Sequence, residues 1–336
     1  MTALERNTIL ADLRKSQTVA LGNCPVCGGG IWEYFGGRLH FDIRVEYWIC
    51  KNCALVAQSP RLEEEYLSQF YARFYRFLYE GESQTTEAEF EFQIKRGRNL
   101  LSIFLELSGE KSLGNLLDFG SSAGGLLQAA VKEMGASSAV GIELDHDYKQ
   151  FSQDMGFTVF ENLFNLYKAG KPSFDVITMS HVLEHVSDFR KLLQDVHALL
   201  RQDGYLCIEV PHTSGGACFE ITHLWGFNET SLERLLRSAG FQILGMRTHG
   251  YPRAPEKDNL YLVVVAQKHI PLKSQSMRHS SPFRERMRRY LSNRPAVSYW
   301  EYQRYLMRNT IKQILGLSKG KLVAHSWMPS KLRRMD

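Results

Sequence analysis

The sequence predicts an α/β protein built on a mostly parallel sheet, with a small cysteine-bearing module in front and a basic helical tail behind. Three observations carry that. The run Leu116-Leu-Asp-Phe-Gly-Ser-Ser-Ala-Gly-Gly-Leu-Leu127 reads as a strand, a tight glycine turn and a helix start. Ala139-Val-Gly-Ile-Glu143 reads as a second strand ending in a carboxylate. Two C-x-x-C pairs, Cys24-Pro-Val-Cys27 and Cys50-Lys-Asn-Cys53, precede both.

Residues 1–60 form the cysteine module, opened by a short leader helix within residues 1–20. Two thiolates on each tight turn complete a tetrahedral four-sulfur site from Cys24, Cys27, Cys50 and Cys53. Such a closed, soft donor set suits a structural zinc ion. Gly28 after the first pair fits a turn that needs positive φ, whereas Ala54 after the second does not. Between the pairs, Phe41, Ile43, Val45 and Tyr47 alternate with Asp42, Arg44 and Glu46, a half-buried strand that delivers Cys50. The module is expected to be a zinc ribbon. Cys207 reads as core.

Residues 61–110 are helical and rich in aromatics. Tyr66, Phe70, Tyr71, Phe74, Tyr75, Phe77, Leu78 and Tyr79 exceed what one core-facing stripe needs. They read as a helix between module and sheet, or as a lid that brings a tyrosine hydroxyl to a substrate. A second helical run, about 89–107, leads into the sheet.

Residues 111–267 hold the sheet and its glycine loop. Small residues let the backbone approach a ligand, and helix N-terminal amides face it. Either a dinucleotide or S-adenosylmethionine would fit such a loop. Ser122 stands where a dinucleotide loop has its second glycine, and no lysine serves a triphosphate. Asp118 would repel a pyrophosphate but suits a cationic amino-acid ligand. Glu143, about 20 residues on, suits ribose hydroxyls. The loop therefore favours S-adenosylmethionine, with Asp118, Gly120, Ser122, Gly124 and Glu143 as its contacts.

From 116 to about 266 the order of segments resembles the class I S-adenosylmethionine-dependent methyltransferases. Asp118–Gly124 looks like their first motif and Gly141–Asp145 their second. Phe174–Val186 looks like their fourth strand running into a helix, and Leu199–Pro211 like a helix end and fifth strand. Leu232–Phe241 resembles the last helix, and Asn259–Ala266 the seventh strand. The resemblance implies a seven-stranded Rossmann-like methyltransferase sheet and adds Leu144, Asn162 and Ser180 to the cofactor contacts.

Methyl transfer needs an aligned nucleophile and, for a hydroxyl, a base. Candidates lie at the carboxyl ends of strands: His181, Glu184 and His185 after the fourth, His212 after the fifth, and His223 in the loop beyond. The four-cysteine module beside this domain is similar to bacterial sugar C-methyltransferases and their relatives in surface-polysaccharide pathways. That likeness implies a base role for His223 and a substrate-side hydroxyl from Tyr71 or Tyr75. Those enzymes carry a large second α/β domain for which 268–336 are too few, which weighs against carbon methylation. Oxygen methylation of a glycan or small hydroxylated substrate stays open.

The expected activity is methyl transfer to a sugar or related hydroxylated or carbonyl metabolite, nucleotide- or lipid-linked in some form. An RNA methyltransferase is the first alternative, and a non-catalytic cofactor-binding scaffold the second. Charge bears on the first. Residues 268–336 hold 16 Lys/Arg against 3 Asp/Glu, while residues 1–267 hold 25 against 33. An acidic body argues against an RNA-reading face. Residues 284–315 interleave apolar and basic side chains, which suits contact with anionic lipid. No apolar run approaches the ~20 residues of a membrane span, and Met1–Asn7 has no secretory pattern. The expectation is a cytoplasmic protein, peripheral at the inner membrane face.

Overall fold

The computed structural model describes residues 3–41, 43–74, 85–170, 173–215, 218–250 and 260–269. The chain divides into two compact units, Met1–Met277 and Arg278–Asp336. The second unit, and with it the basic tail from 270 onward, lies outside the described residues. So do Tyr75 and the aromatics after it.

Helix α1 (Ala3–Lys15) leads into β1 (Gln17–Val19), which pairs antiparallel with β5 (Arg61–Leu62). The module proper is an antiparallel sheet of β2 (Trp32–His40), β3 (Ile43–Cys50) and β4 (Val56–Gln58). Ile43, Val45, Tyr47 and Ile49 are buried along β3, the alternation its sequence requires. Phe41 is not part of that strand. It stands in the hairpin turn at φ 50°, and the strand begins at Ile43.

Helix α2 (Glu64–Arg73) buries Leu67 and Phe70. Helix α3 (Glu87–Ser108) is capped by Thr86, whose hydroxyl accepts from the Glu89 amide at 3.1 Å, and stopped by left-handed Gly109. It packs on α4 (Gly125–Lys132) at Gly97, where an added Cβ would lie 2.6 Å from Leu126 Cα. That contact holds the glycine loop from behind.

The main sheet has seven strands: β6 (Asn115–Phe119), β7 (Ser138–Ile142), β8 (Thr158–Phe160), β9 (Phe174–Ser180), β10 (Leu200–Pro211), β12 (Phe241–His249) and β13 (Tyr261–Lys268). Their order is β12-β13-β10-β9-β6-β7-β8, with β13 antiparallel to both neighbours and every other pair among β6–β10 parallel. The chain builds outward from β6 to β8, then crosses to the far side of β6 for β9. That switch point, at the carboxyl ends of β6 and β9, is where an open α/β sheet leaves a crevice for a ligand. Connecting helices are α5 (His146–Asp154), α6 (Leu163–Lys168), α7 (Phe189–Leu199) and α8 (Glu229–Ser238). One core runs between α3, α4 and the sheet, with Leu100, Leu101 and Phe104 against Leu116, Val176, Val263 and Val265.

The fifth strand starts earlier than its glycine turn suggests. Leu200 already pairs with Phe174, Asp203 takes φ 59°, and regular pairing resumes at Tyr205.

The two sheets are joined by a two-residue strand. β11 (Trp225–Gly226), in the loop after β10, pairs with β4 and makes the module's sheet four-stranded. Tyr47 Oη and Gln58 Nε2 each donate to the Glu220 carbonyl at 3.1 Å. Asn228 Nδ2 donates to the Ala54 carbonyl at 2.7 Å. The Arg61 guanidinium sits 4.5 Å over the Trp225 ring. Among the described residues, no helix is long and apolar enough to cross a membrane.

Candidate active site

The glycine loop follows β6 as its composition demands. Gly120, Ser122 and Gly124 have φ of 67°, 49° and 86°. Ser122 thus takes a conformation that glycine adopts at less cost. Its amide donates to Glu143 Oε2 at 2.7 Å, and the Asp145 amide donates to Glu143 Oε1 at 2.8 Å. Gln93 of α3 supports the loop, accepting from the Ala123 amide at 3.2 Å and donating to Ser122 Oγ at 3.0 Å.

Asp118 is buried under the loop and accepts from Thr178 Oγ1 at 2.6 Å. Burial pushes its carboxyl up to about 7, against that hydrogen bond. Burial likewise lifts Glu143 to about 7, although the Asp145 and Ser122 amides pull it down. Leu144 is 59% exposed beside Glu143. Asn162 caps α6, its Oδ1 accepting from the Asn165 amide at 3.0 Å. Ser180 Oγ donates to Glu209 Oε1 at 2.8 Å.

These residues fit S-adenosylmethionine. The left-handed loop holds its backbone open, a paired carboxylate stands at the end of the second strand, and an uncovered leucine adjoins it.

The loop meets the turn that carries the histidines. A Cβ on Gly120 would lie 2.7 Å from Val182 Cγ2. Val182 belongs to the turn that follows β9. There His181 takes φ 56°, and a short 3-10 helix, Leu183–His185, follows. His181 Nδ1 lies 3.2 Å from Glu184 Oε1, and its Nε2 lies 3.3 Å from Glu209 Oε1. Glu209, on β10, also takes Arg96 Nη2 at 2.8 Å and His249 Nε2 at 2.9 Å. Burial would raise Glu209, but His181, His249 and Arg96 outweigh it and hold the carboxyl well below its usual range.

His223 joins the same cluster. Its ring centroid is 4.6 Å from that of His185, and its Nε2 is 2.6 Å from Glu220 Oε1. Burial would lower His223, but Glu220 raises it. Burial drops His185 to about 4, helped by the charge of His223. Tyr71 Oη hydrogen-bonds His185 Nδ1, and the two rings meet edge to face. His212 stands elsewhere, its Nε2 3.1 Å from Glu229 Oε2 and its Nδ1 accepting from the Ser214 amide at 3.0 Å.

The structure therefore brings His181, His185, His223 and Tyr71 together. It adds Arg96, Gln93, Glu209, Glu220 and His249, which sequence reasoning missed. Arg96 and Gln93 lie on a helix ahead of the first strand, outside any motif. The charge at Glu209, in the otherwise apolar run Tyr205–Pro211 of β10, is the signal that could have found it.

The four cysteines converge as their spacing requires. All four sulfurs lie within 4.8 Å of one another, with Cys24–Cys53 and Cys27–Cys50 at 3.5 Å. A disulfide needs about 2.05 Å, and all four are free thiols. Sulfurs around a tetrahedral zinc, with bonds of about 2.3 Å, stand about 3.8 Å apart. The two turns are alike: Gly28 N donates to Cys24 O at 2.8 Å and Ala54 N to Cys50 O at 2.9 Å. Ala54 takes φ 60° where the sequence offers no glycine. Hydrogen bonds from Cys24 and Cys53 pull Cys50 down, while their thiol partners push Cys24 and Cys53 up. Four sulfurs so close together form a closed, soft donor set that fits zinc.

Comparison with known proteins agrees with the site. Residues 92–245 match the sequence profile of a family described as a methyltransferase domain. No curated protein matches the chain. Among solved structures, the chain is similar to the 1,6-didemethyltoxoflavin-N1-methyltransferase of Burkholderia thailandensis, solved with 1,6-didemethyltoxoflavin and S-adenosylhomocysteine. That likeness has 20% identity and a TM-score of 0.48, over 70% of this chain and 100% of the other. The magnesium protoporphyrin IX methyltransferase of Synechocystis PCC 6803 is 14% identical with a TM-score of 0.42, over 61% of this chain and 96% of the other. A SAM-dependent methyltransferase of Archaeoglobus fulgidus is 17% identical with a TM-score of 0.41, over 55% and 100%. The profile match makes residues 92–245 similar to a methyltransferase domain, and the strand order of the sheet is that of the Rossmann-like methyltransferase fold.

Proposed function

We propose that the protein transfers a methyl group from S-adenosylmethionine to a sugar or related small hydroxylated or carbonyl metabolite, in glycan or surface-polysaccharide biosynthesis. The observation that supports it best is the contact between Gly120 and Val182. It sets the cofactor loop against the turn that carries His181, so a bound donor and a cluster of proton-accepting groups share one edge of the sheet.

When bound, S-adenosylmethionine supplies an activated methyl on a sulfonium. Asp118 would answer the cationic amino-acid end, Glu143 would accept from the ribose hydroxyls, and Leu144 would cover the base. His181 is placed to take the acceptor's proton. It leads out of β9, directly precedes the Val182 that meets Gly120, and is backed by Glu184 and Glu209, whereas His223 is engaged with Glu220 and the Cys218 carbonyl. Tyr71 stands at the substrate side beside His185. A structural zinc on Cys24, Cys27, Cys50 and Cys53 would hold the module against the loop of Glu220 and His223.

The test is transfer of labelled methyl to a panel of nucleotide sugars and glycolipids. Label in a hydroxylated acceptor, reduced roughly 10²–10⁴-fold by His181→Gln, is the expected result. Cofactor binding with no label in any acceptor would make the chain a cofactor-binding scaffold instead.

A further inference from the structure

The histidine cluster contains a donor set that the transfer reaction does not require. One ligand atom from each of Glu184, His185 and His223 lies within 4.8 Å of the others. This set shares no residue with the four-cysteine site.

Each Nδ1 faces a backbone carbonyl. His185 Nδ1 lies 3.0 Å from the Thr222 carbonyl, and His223 Nδ1 lies 3.1 Å from the Cys218 carbonyl. A carbonyl can only accept, so His223 Nδ1 carries a hydrogen; His185 Nδ1 also meets the Tyr71 hydroxyl, and carries one when that hydroxyl accepts. The His185 Nε2 lone pair is then free, whereas His223 Nε2 lies 2.6 Å from Glu220 Oε1 and would exchange the hydrogen it shares with that carboxylate for the metal. A metal-binding histidine is usually oriented this way, with its second nitrogen donating to a carbonyl or carboxylate. His185 Nε2 lies 3.8 Å from Glu184 Oε1.

Glu184 supplies the independent observation. Its side chain is 1% exposed, and neither carboxylate oxygen has a hydrogen-bond partner among the described residues. His181 Nδ1 stands 3.2 Å from Oε1 outside hydrogen-bond geometry. A buried carboxylate without hydrogen bonds is costly; His181 at 3.2 Å and His185 at 3.8 Å face it, and a metal ion would answer it in full. The two segments that carry the donors are locked together, with Leu224 N donating to Glu184 O at 2.9 Å and Trp225 Nε1 to Val186 O at 2.9 Å. The donors are therefore preorganised.

We propose that Glu184, His185 and His223 bind a second divalent metal ion. Two imidazoles and one carboxylate suit zinc, manganese, iron(II) or cobalt better than magnesium or calcium, which favour all-oxygen shells. Three protein ligands leave a position open, as in catalytic rather than structural sites. On the methyltransferase reading, that position would take the acceptor's oxygen and lower its pKa, so that His181 removes the proton more readily. The binding site itself does not depend on that reading.

The test uses the full-length chain and cobalt(II) or zinc(II) as the probe. After exhaustive dialysis, mass spectrometry should count two ions per wild-type chain. Glu184→Gln should leave one, and its cobalt form should keep only the intense thiolate charge-transfer band. Calorimetry on wild-type chain already holding one zinc should show a second binding event, a measurement that needs no variant to fold. One ion per wild-type chain with no second event, or two ions retained by a folded Glu184→Gln, would overturn the proposal and leave a metal-free cluster of ion pairs. S-adenosylhomocysteine affinity measured on the same samples separates the two claims. A second ion without cofactor binding would retire the methyltransferase reading and keep the metal site. Cofactor binding with one ion would do the reverse.

Discussion

The Leu224 amide donates to the Glu184 carbonyl at 2.9 Å, and the Gln58 amide donates to the Leu224 carbonyl at 2.9 Å. One residue thus bridges the turn after the fourth strand to the module's last strand. The cysteine module is built into the side of the sheet where the histidines gather, so its integrity and that of the site should fall together.

Asn228 tests that coupling. Its side chain caps α8, accepting from the Ser231 amide at 3.0 Å, and also donates to the Ala54 carbonyl in the second cysteine turn. Asn228→Ala should cost about 1–2 kcal/mol for the cap and about 1 kcal/mol for the bridge. Urea unfolding should show it, together with faster loss of metal to a chelator. Unchanged metal release would mean that the bridge does not steady the cysteine site.

Gly97 tests the support behind the cofactor loop. The side chain of Gly97→Ala would press on Leu126 backbone at 2.6 Å. Forcing the two helices apart should cost about 1–3 kcal/mol and weaken cofactor binding. A variant with native stability would show that α3 shifts freely.

Arg96 and Glu209 form a nearly enclosed pair at 2.8 Å. Arg96→Met leaves the carboxylate with Ser180, His181 and His249 and should cost about 3–5 kcal/mol, read from the denaturation midpoint. The sign of the pH effect follows. Glu209 is depressed in the folded chain, so its stabilisation is present above the ordinary carboxylate pKa of 4.5 and is lost as pH falls below it. In Arg96→Met the acid transition should begin at higher pH.

Asp118 and Glu143 run the other way. Burial raises both to about 7. The ligand-free fold therefore binds their protons more tightly than the unfolded chain, and stability falls as pH climbs from about 4 through 7. Cofactor affinity should rise over the same window, because Glu143 must be ionised to accept from ribose hydroxyls. S-adenosylhomocysteine should bind up to about tenfold more weakly at pH 6 than at pH 8, and Glu143→Gln should flatten that slope. Equal affinity at both pH values would remove Glu143 from the pocket.

The sheet was legible because its buried parallel strands read as apolar runs, with Asp118, Glu143 and His181 at or beside the carboxyl ends of β6, β7 and β9. The cysteine site was legible because thiolate spacing is local. The fusion of the two sheets was not. β11 is two residues long, and nothing in Trp225-Gly226 distinguishes it from a loop. Ala54 misled for a similar reason, since the cysteine turn takes a left-handed conformation that its sequence does not favour. The ion cluster was half visible. His181-Val-Leu-Glu-His185 shows its histidines, but Arg96 and His249 reach Glu209 from a helix and a strand far away in sequence. Such contacts depend on packing across the sheet, which no local pattern records.

The central claim is that the loop from Gly120 to Gly124, with Asp118 and Glu143, grips S-adenosylmethionine. Calorimetry of the full-length chain with S-adenosylhomocysteine tests it most directly. One binding site per chain, weakened at least tenfold by Glu143→Ala and by Asp118→Ala, is the predicted result. A folded chain that takes up neither S-adenosylhomocysteine nor S-adenosylmethionine would contradict it.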